Sequence, residues 1–151
     1  MENTILIQEN NFNKIRNQIK EAQTKNKQII FSSDDNELNR KVLEKEPINI
    51  LLLNQSFRKD KPKQRNSGFN HVLAKIAKKK NIIIGINLDE IINSERKQKS
   101  EILARVTQNI KLCSKNKLKM KFISLKQKRN AHDLKALGLV LGMPTSMTKQ
   151  L

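Results

Sequence analysis

SGFNHVLAKIAKKKNIIIGINLDEII, residues 67–92, carries two periodicities in succession. Phe69, Val72, Leu73, Ile76 and Ala77 recur at helical intervals and form one apolar stripe, with Ser67 placed to cap the helix. Lys75, Lys78, Lys79 and Lys80 occupy the other face. Lysine near a helix C-terminus complements the macrodipole, so part of that cluster has a purely structural reason. A short apolar run at 82–86 follows and reads as a strand, with Gly85 marking a close approach of the backbone. Helix followed by strand is half of a βα repeat.

The same rhythm extends in both directions. Apolar runs recur at 5–7, 29–31, 48–53 and 120–125, each followed by a stretch with helical spacing. That alternation predicts βα units and a parallel sheet. INILLL, residues 48–53, has almost no polar alternation, as expected of a central strand covered on both faces. Before it, Phe12, Ile15, Ile19 and Ala22 predict a first helix. Leu38 and Val42 predict a second, opened by a candidate capping box of Asp34 and Glu37 and ended by Pro47. A long helix is expected over about 95–116, with Ile102, Leu103, Val106, Ile110 and Cys113 inward and Lys99, Arg105, Lys111 and Lys115 toward solvent. The last, near 132–141, is closed by Gly142 with Pro144 beyond. An eight-stranded barrel typically needs ~250 residues. With 151 residues and about five units, the expected α/β architecture is a single domain, either a partial (truncated) TIM-like barrel or an open sheet.

Charge is distributed unevenly along this chain. Residues 1–56 hold 8 Lys+Arg against 8 Asp+Glu, whereas residues 57–151 hold 23 against 6 and so carry the whole net charge of +17. A coding bias toward lysine and asparagine would not leave the first 56 residues neutral. A concentrated excess draws in a polyanion, and nucleic acid is the first candidate. Arg58, Lys59, Lys61, Lys63 and Arg65 crowd one loop, expected at the C-terminal end of the buried strand. Lys126, Lys128 and Arg129 occupy the corresponding loop of the last strand, so a curved sheet would bring both loops to one rim. Without Trp or Tyr, and with five Phe, stacking on aromatic platforms is a poor basis for recognition, which leaves phosphate and shape.

Other chemistry is thinly represented. Cys113 is the only cysteine and reads as a small core residue, which excludes an internal disulfide and fits a reducing compartment. His71 and His132 have no ligand-spaced partners, and the acidic pairs Asp34–Asp35 and Asp89–Glu90 read as helix N-terminal residues. Four scattered glycines match no phosphate loop. No catalytic residue, metal site or cofactor is assigned. No apolar run approaches the ~20 residues of a membrane span, and Met1, Glu2, Asn3 and Thr4 give no signal-peptide start. A soluble, cytoplasmic protein is expected, nuclear if the source is eukaryotic.

From about residue 28 to residue 143 the order of motifs resembles protein component 3 of archaeal ribonuclease P, the thirty-kilodalton subunit family. Asp35, Glu37, Leu38, Asn39 and Arg40 resemble its acidic and Asn-Arg segment, and 48–53 its buried strand. Residues 67–92 are similar to its Gly-x-Asn-His-Val-Leu-Ala-Lys helix and the strand behind it. ILARVTQNIKLCSKNKLKMKFIS, residues 102–124, resembles its long helix and next strand. Arg129, Asp133, Leu134, Ala136, Leu137, Gly138, Leu141, Gly142 and Met143 match its terminal pattern. The chain departs from the family at Leu125 and Lys126, where Gly-Ala is usual, and at Asn130 and Ala131, where Ser-Pro is usual. The family's N-terminal barrel strands have no counterpart here, so the resemblance is to a shortened form.

The resemblance implies a protein subunit of ribonuclease P that is noncatalytic on its own, binding and stabilising the catalytic RNA of an endoribonuclease holoenzyme for 5′ maturation of precursor tRNA. Its implied partners are ribonuclease P RNA, the ferredoxin-like protein component 2 and, indirectly, precursor tRNA. The RNA-binding residues expected on this reading are Arg40, Lys63, Arg65, His71, Lys75, Arg105, Lys126 and Arg129. Two alternatives stay open: a metal-dependent phosphoesterase of the related barrel superfamily, and an RNA-binding module acting outside ribonuclease P.

Overall fold

The structure, a computed structural model, describes residues 3–126 and 128–151. Met1 and Glu2, used above to judge the N-terminus, lie outside them, as does Gln127 of the last basic loop. Five strands form one parallel sheet in the order β1-β2-β3-β4-β5: β1 (Thr4–Ile7), β2 (Gln28–Ser32), β3 (Ile50–Leu53), β4 (Ile83–Asn87) and β5 (Met120–Ile123). Spatial order follows chain order, so each helix carries the chain to the adjacent strand. β3 is the central strand, and all four of its residues are buried. Its lack of polar alternation is thereby explained.

One face of the sheet packs against α1 (Phe12–Thr24), α2 (Asn36–Lys45), α3 (His71–Lys80) and α5 (Arg96–Lys115), with Phe31, Leu51, Ile84 and Met120 meeting Ile15, Val42, Ala74 and Ile110 in the main core. The other face gathers Ile30, Ile50, Leu52 and Ile123 into a smaller cluster, with Leu6 and Ile83 against it. Thr4 and Leu6 of β1 share a cleft with Ser124, Leu125 and Lys126 beyond β5. In a flat sheet those edges would stand about 19 Å apart, four spacings of about 4.8 Å. The sheet is therefore curled like a barrel wall, yet β1 and β5 pair on one side only and the barrel is not closed.

Gly85 of β4 faces the smaller cluster. A Cβ there would lie 3.1 Å from Ile50 and 3.2 Å from both Leu52 and Ile123, so side chains of the inner cluster take the space. Three local expectations are corrected. Asp35, not Asp34, caps α2, accepting from the N–H groups of Glu37 (3.0 Å) and Leu38 (3.4 Å). Asn70, not Ser67, caps α3 by accepting from Leu73 N–H at 2.9 Å. Third, α3 buries Leu73, Ala74 and Ala77, which leaves Val72 of the expected stripe 51% exposed and puts Ala74 in the core. Two short helices, α4 (Leu88–Asn93) and α7 (Thr145–Thr148), flank α5 and α6 (Ala131–Val140), and neither was visible as a periodic stretch.

Candidate nucleic-acid interface

Because the strands are parallel, the loops that follow them emerge at one rim. The longest spans residues 54–70, between β3 and α3, and carries the basic run. Only part of that run faces solvent. Arg58 turns inward: its Nε donates to the Asn54 carbonyl at 2.6 Å and one Nη to Asn36 Oδ1 at 2.7 Å. Its guanidinium lies against Gly68, where a Cβ would fall 2.3 Å from the other Nη. Gly68 also has φ +74, which L side chains resist. Burial lowers the Arg58 pKa, partly offset by Asp34 and Glu90.

Asp60 is the second anchor of this loop. Its Oδ1 accepts from Asn66 N–H at 2.9 Å and from Arg105 Nε at 3.1 Å. The Asn66 bond first, and Arg105 second, hold its carboxyl below the ordinary aspartate range. Arg105 also donates to the Gln55 carbonyl at 3.0 Å and is only 3% exposed. The expectation that Arg105 points to solvent and meets RNA is therefore corrected: it is a buried tie between α5 and the loop. A charge so placed is tolerated because both its carboxylate and carbonyl partners are in reach.

With the loop pinned, Lys59, Lys61, Lys63 and Arg65 are exposed. Lys61 and Gln64 exchange backbone hydrogen bonds (2.9 and 3.1 Å), so Lys63 lies in the tight turn between them. Lys61 and Arg65 form one wall of an open cleft of about 350 Å³, Arg40 and Glu37 of α2 the opposite wall, and Gly68 and Asn70 the floor. Arg40 also pairs with Glu44 at 2.9 Å. His71, exposed, opens α3 beside that floor, and Lys75 lies one turn further on the same face. Lys126 and Arg129 are exposed on the loop after β5. Lys126 lines a neighbouring cleft with Ser56 of the basic loop, so the two loops meet along one rim. Of the expected set, Arg40 and Arg65 thus share a cleft, Lys63 lies in the turn beside it, His71 and Lys75 follow on α3, Lys126 neighbours Ser56 of the long loop, and Arg105 is buried.

Carboxylates of the rim serve the backbone. Glu90 accepts from the N–H groups of Gln55 (2.8 Å) and Ser56 (3.2 Å), and Asp89 from Ser124 Oγ (2.8 Å) and Leu125 N–H (2.9 Å). Both belong to the first turn of α4, as their reading as helix N-terminal residues required. Among the described residues no three His, Cys, Asp or Glu converge as a metal would demand. Inside the rim, Asn87 donates to Asn54 Oδ1 at 2.9 Å, and Asn54 to Ser32 Oγ at 2.8 Å. Two amides and a hydroxyl thus form a hydrogen-bonded ladder across the ends of β2, β3 and β4. This ladder and the Arg58–Gly68 contact escaped sequence reading. The only signal was an asparagine closing each of two strands.

The fold and rim define a class: an open, curled β/α half-barrel with a cationic C-terminal edge. No protein-family model matches the chain. It is 26% identical over 111 residues to ribonuclease P protein component 3 of Methanococcus maripaludis (strain C7), covering 74% of this chain and 45% of that one. To the protein of the same name from Methanococcus vannielii it is 27% identical over 106 residues, covering 70% and 43%. The chain thus spans less than half the length of the curated relatives it matches. Among solved structures it superposes, at a TM-score of 0.78 and 22% identity, on a chain of archaeal ribonuclease P with mature tRNA determined by cryo-EM, covering 97% of this chain and 62% of that one. The resemblance carried by the motifs to ribonuclease P protein component 3 is thereby borne out, as is the barrel-like α/β fold.

Proposed function

We propose that this chain is an RNA-binding protein subunit of a ribonuclease P-type particle, acting in 5′ maturation of precursor tRNA by neutralising and bracing the catalytic RNA. The observation that carries this reading is the shared rim. Two loops from opposite parts of the sheet present exposed cations on one edge, and the inward-turned Arg58 and Arg105 fix the longer loop rather than adding to its surface charge. Arg40, Lys63, Arg65, His71, Lys75, Lys126 and Arg129 form the RNA-facing set. Arginine supplies bidentate contacts to phosphate and lysine point charges. The relatives' names and the particle in which the structural neighbour was solved support the assignment to ribonuclease P rather than to RNA binding at large.

The ferredoxin-like protein component 2 is the protein partner on this reading, and the unpaired edges of β1 and β5 are where an open sheet most needs a cover. A cytoplasmic location follows from the same assignment. Among the described residues no helix is long and apolar enough to cross a membrane. Reconstitution tests the proposal: ribonuclease P RNA, the ferredoxin-like subunit and this chain are mixed and precursor tRNA cleavage is followed. The expected result is faster cleavage, or cleavage at lower Mg²⁺, with the chain than without it. An unchanged rate sends the assignment back to RNA binding outside ribonuclease P.

A further inference from the structure

Six carboxylates follow Ser56, and all stand toward the rim. Asp60 lies in the basic loop, Asp89 and Glu90 in the first turn of α4, Glu95 at the cap of α5, Glu101 in its second turn and Asp133 in the first turn of α6. Helices of a parallel β/α sheet run back from that rim, so the opposite end of this half has no acidic side chain. What it has is Lys78 and Lys79 at the end of α3, Lys115 at the end of α5, and Lys117 and Lys119 in the connection to β5, all exposed. Lys78, Lys117 and Lys119, with Ser114, Ser146 and Gln150, line a cleft of about 440 Å³.

The helix macrodipole accounts for Lys78, Lys79 and Lys115, which close helices. It does not account for Lys117 or Lys119. Lys117 is held at φ +56, the left-handed conformation that ends a helix, and α1 and α3 end the same way with Asn26 (φ +52) and Asn81 (φ +56). Asparagine and glycine suit that position, and lysine adopts it at a cost. Lys117 is therefore a cation at a strained place beside two others, Lys78 Nζ donating one bond to the Lys117 carbonyl at 3.1 Å, in a cleft whose lining has donors and no acidic side chain. Such a set fits an anion that only accepts hydrogen bonds, and a phosphodiester has that chemistry. α5, 20 residues long, runs from rim to base and separates the two ends by about 30 Å. That is some three Debye lengths at about 0.1 M salt, so each end acts as an independent electrostatic site.

We propose that the basal cleft is a second phosphodiester-binding site, so that one chain holds two RNA segments at once, one at each end. This rests on the reading of the rim as an RNA surface. Capture tests it: one RNA is immobilised, the full chain is bound to it, and retention of a second, labelled RNA is measured near 0.1 M salt. The wild-type chain should retain the second RNA. Lys78→Gln, Lys117→Asn and Lys119→Gln together should lower retention at least tenfold while changing affinity for the first RNA less than about threefold, since the rim is untouched. Asparagine at 117 suits the backbone, so a folded variant is expected, and three Lys→Arg changes should preserve capture. Capture by the neutralised variant at the wild-type level overturns the proposal, as does a wild-type chain that binds the first RNA and never the second. Failure to bind either RNA overturns the rim reading with it.

Discussion

Arg58 and Gly68 form a demanding contact, because a flat guanidinium occupies the space a Cβ would need and the backbone there is left-handed. Gly68→Ala should displace Arg58 and unfasten the loop at a cost of about 1–3 kcal/mol, strain and lost hydrogen bonds together. The check is amide exchange at Asn66, which should speed up, alongside a fall in RNA affinity. Asp60 gives the loop a pH limit. Its folded pKa is depressed, so the support it lends is complete above its unfolded value, about 3.9, and is lost as pH falls through the lower folded value. The Asn66 amide resonance should follow that titration, and Asp60→Asn should remove the response. Burial pushes the Cys113 thiol up to about 12, so an alkylating reagent at pH 8 should leave the native chain unmodified and label it only on unfolding. Of these residues the sequence revealed Cys113 readily, since an apolar helical stripe contained it. Arg58 and Arg105 were unreadable as anchors because charge alone does not say which cation in a basic run will find carbonyl and carboxylate partners.

β3 and Gly85 carry the geometry of the sheet. Leu51 is fully buried between its neighbouring strands and the helices, so Leu51→Ala should destabilise the chain by about 2–5 kcal/mol in denaturant titrations, with residual folding depending on how far the core closes. Gly85→Ala pushes on Ile50, Leu52 and Ile123 and should cost about 1–3 kcal/mol. All five strands and the central place of β3 were legible in the apolar runs, because burial on both faces leaves a continuous signature. Helix starts were less so. Ser67 and Asp34 have cap chemistry, but Asn70 and Asp35 have it too, and the choice falls to whichever side chain the tertiary turn aims at free N–H groups. α4 has six residues and α7 four, too short for a periodicity to register.

For the whole molecule, the neutral first third and basic remainder predicted a charged surface, and the parallel sheet converts part of that sequence asymmetry into a rim. Chain order could not reveal that helices returning from the rim would deliver a second set of lysines to the base, around a cleft whose lining has no acidic side chain. Electrostatic binding of RNA releases counterions, so the logarithm of affinity should fall linearly with the logarithm of salt concentration, by about 0.7–0.9 per phosphate neutralised. The measurement closest to the central claim compares that slope for two variants of equal charge. One neutralises Lys59, Lys61, Lys63 and Lys126 on the rim, and the other Lys14, Lys20, Lys27 and Lys45 in the balanced first third. The rim variant should bind ribonuclease P RNA more weakly with a slope shallower by roughly 3, and the other should stay close to the wild-type chain. Equal losses in the two variants would contradict an RNA surface on the rim.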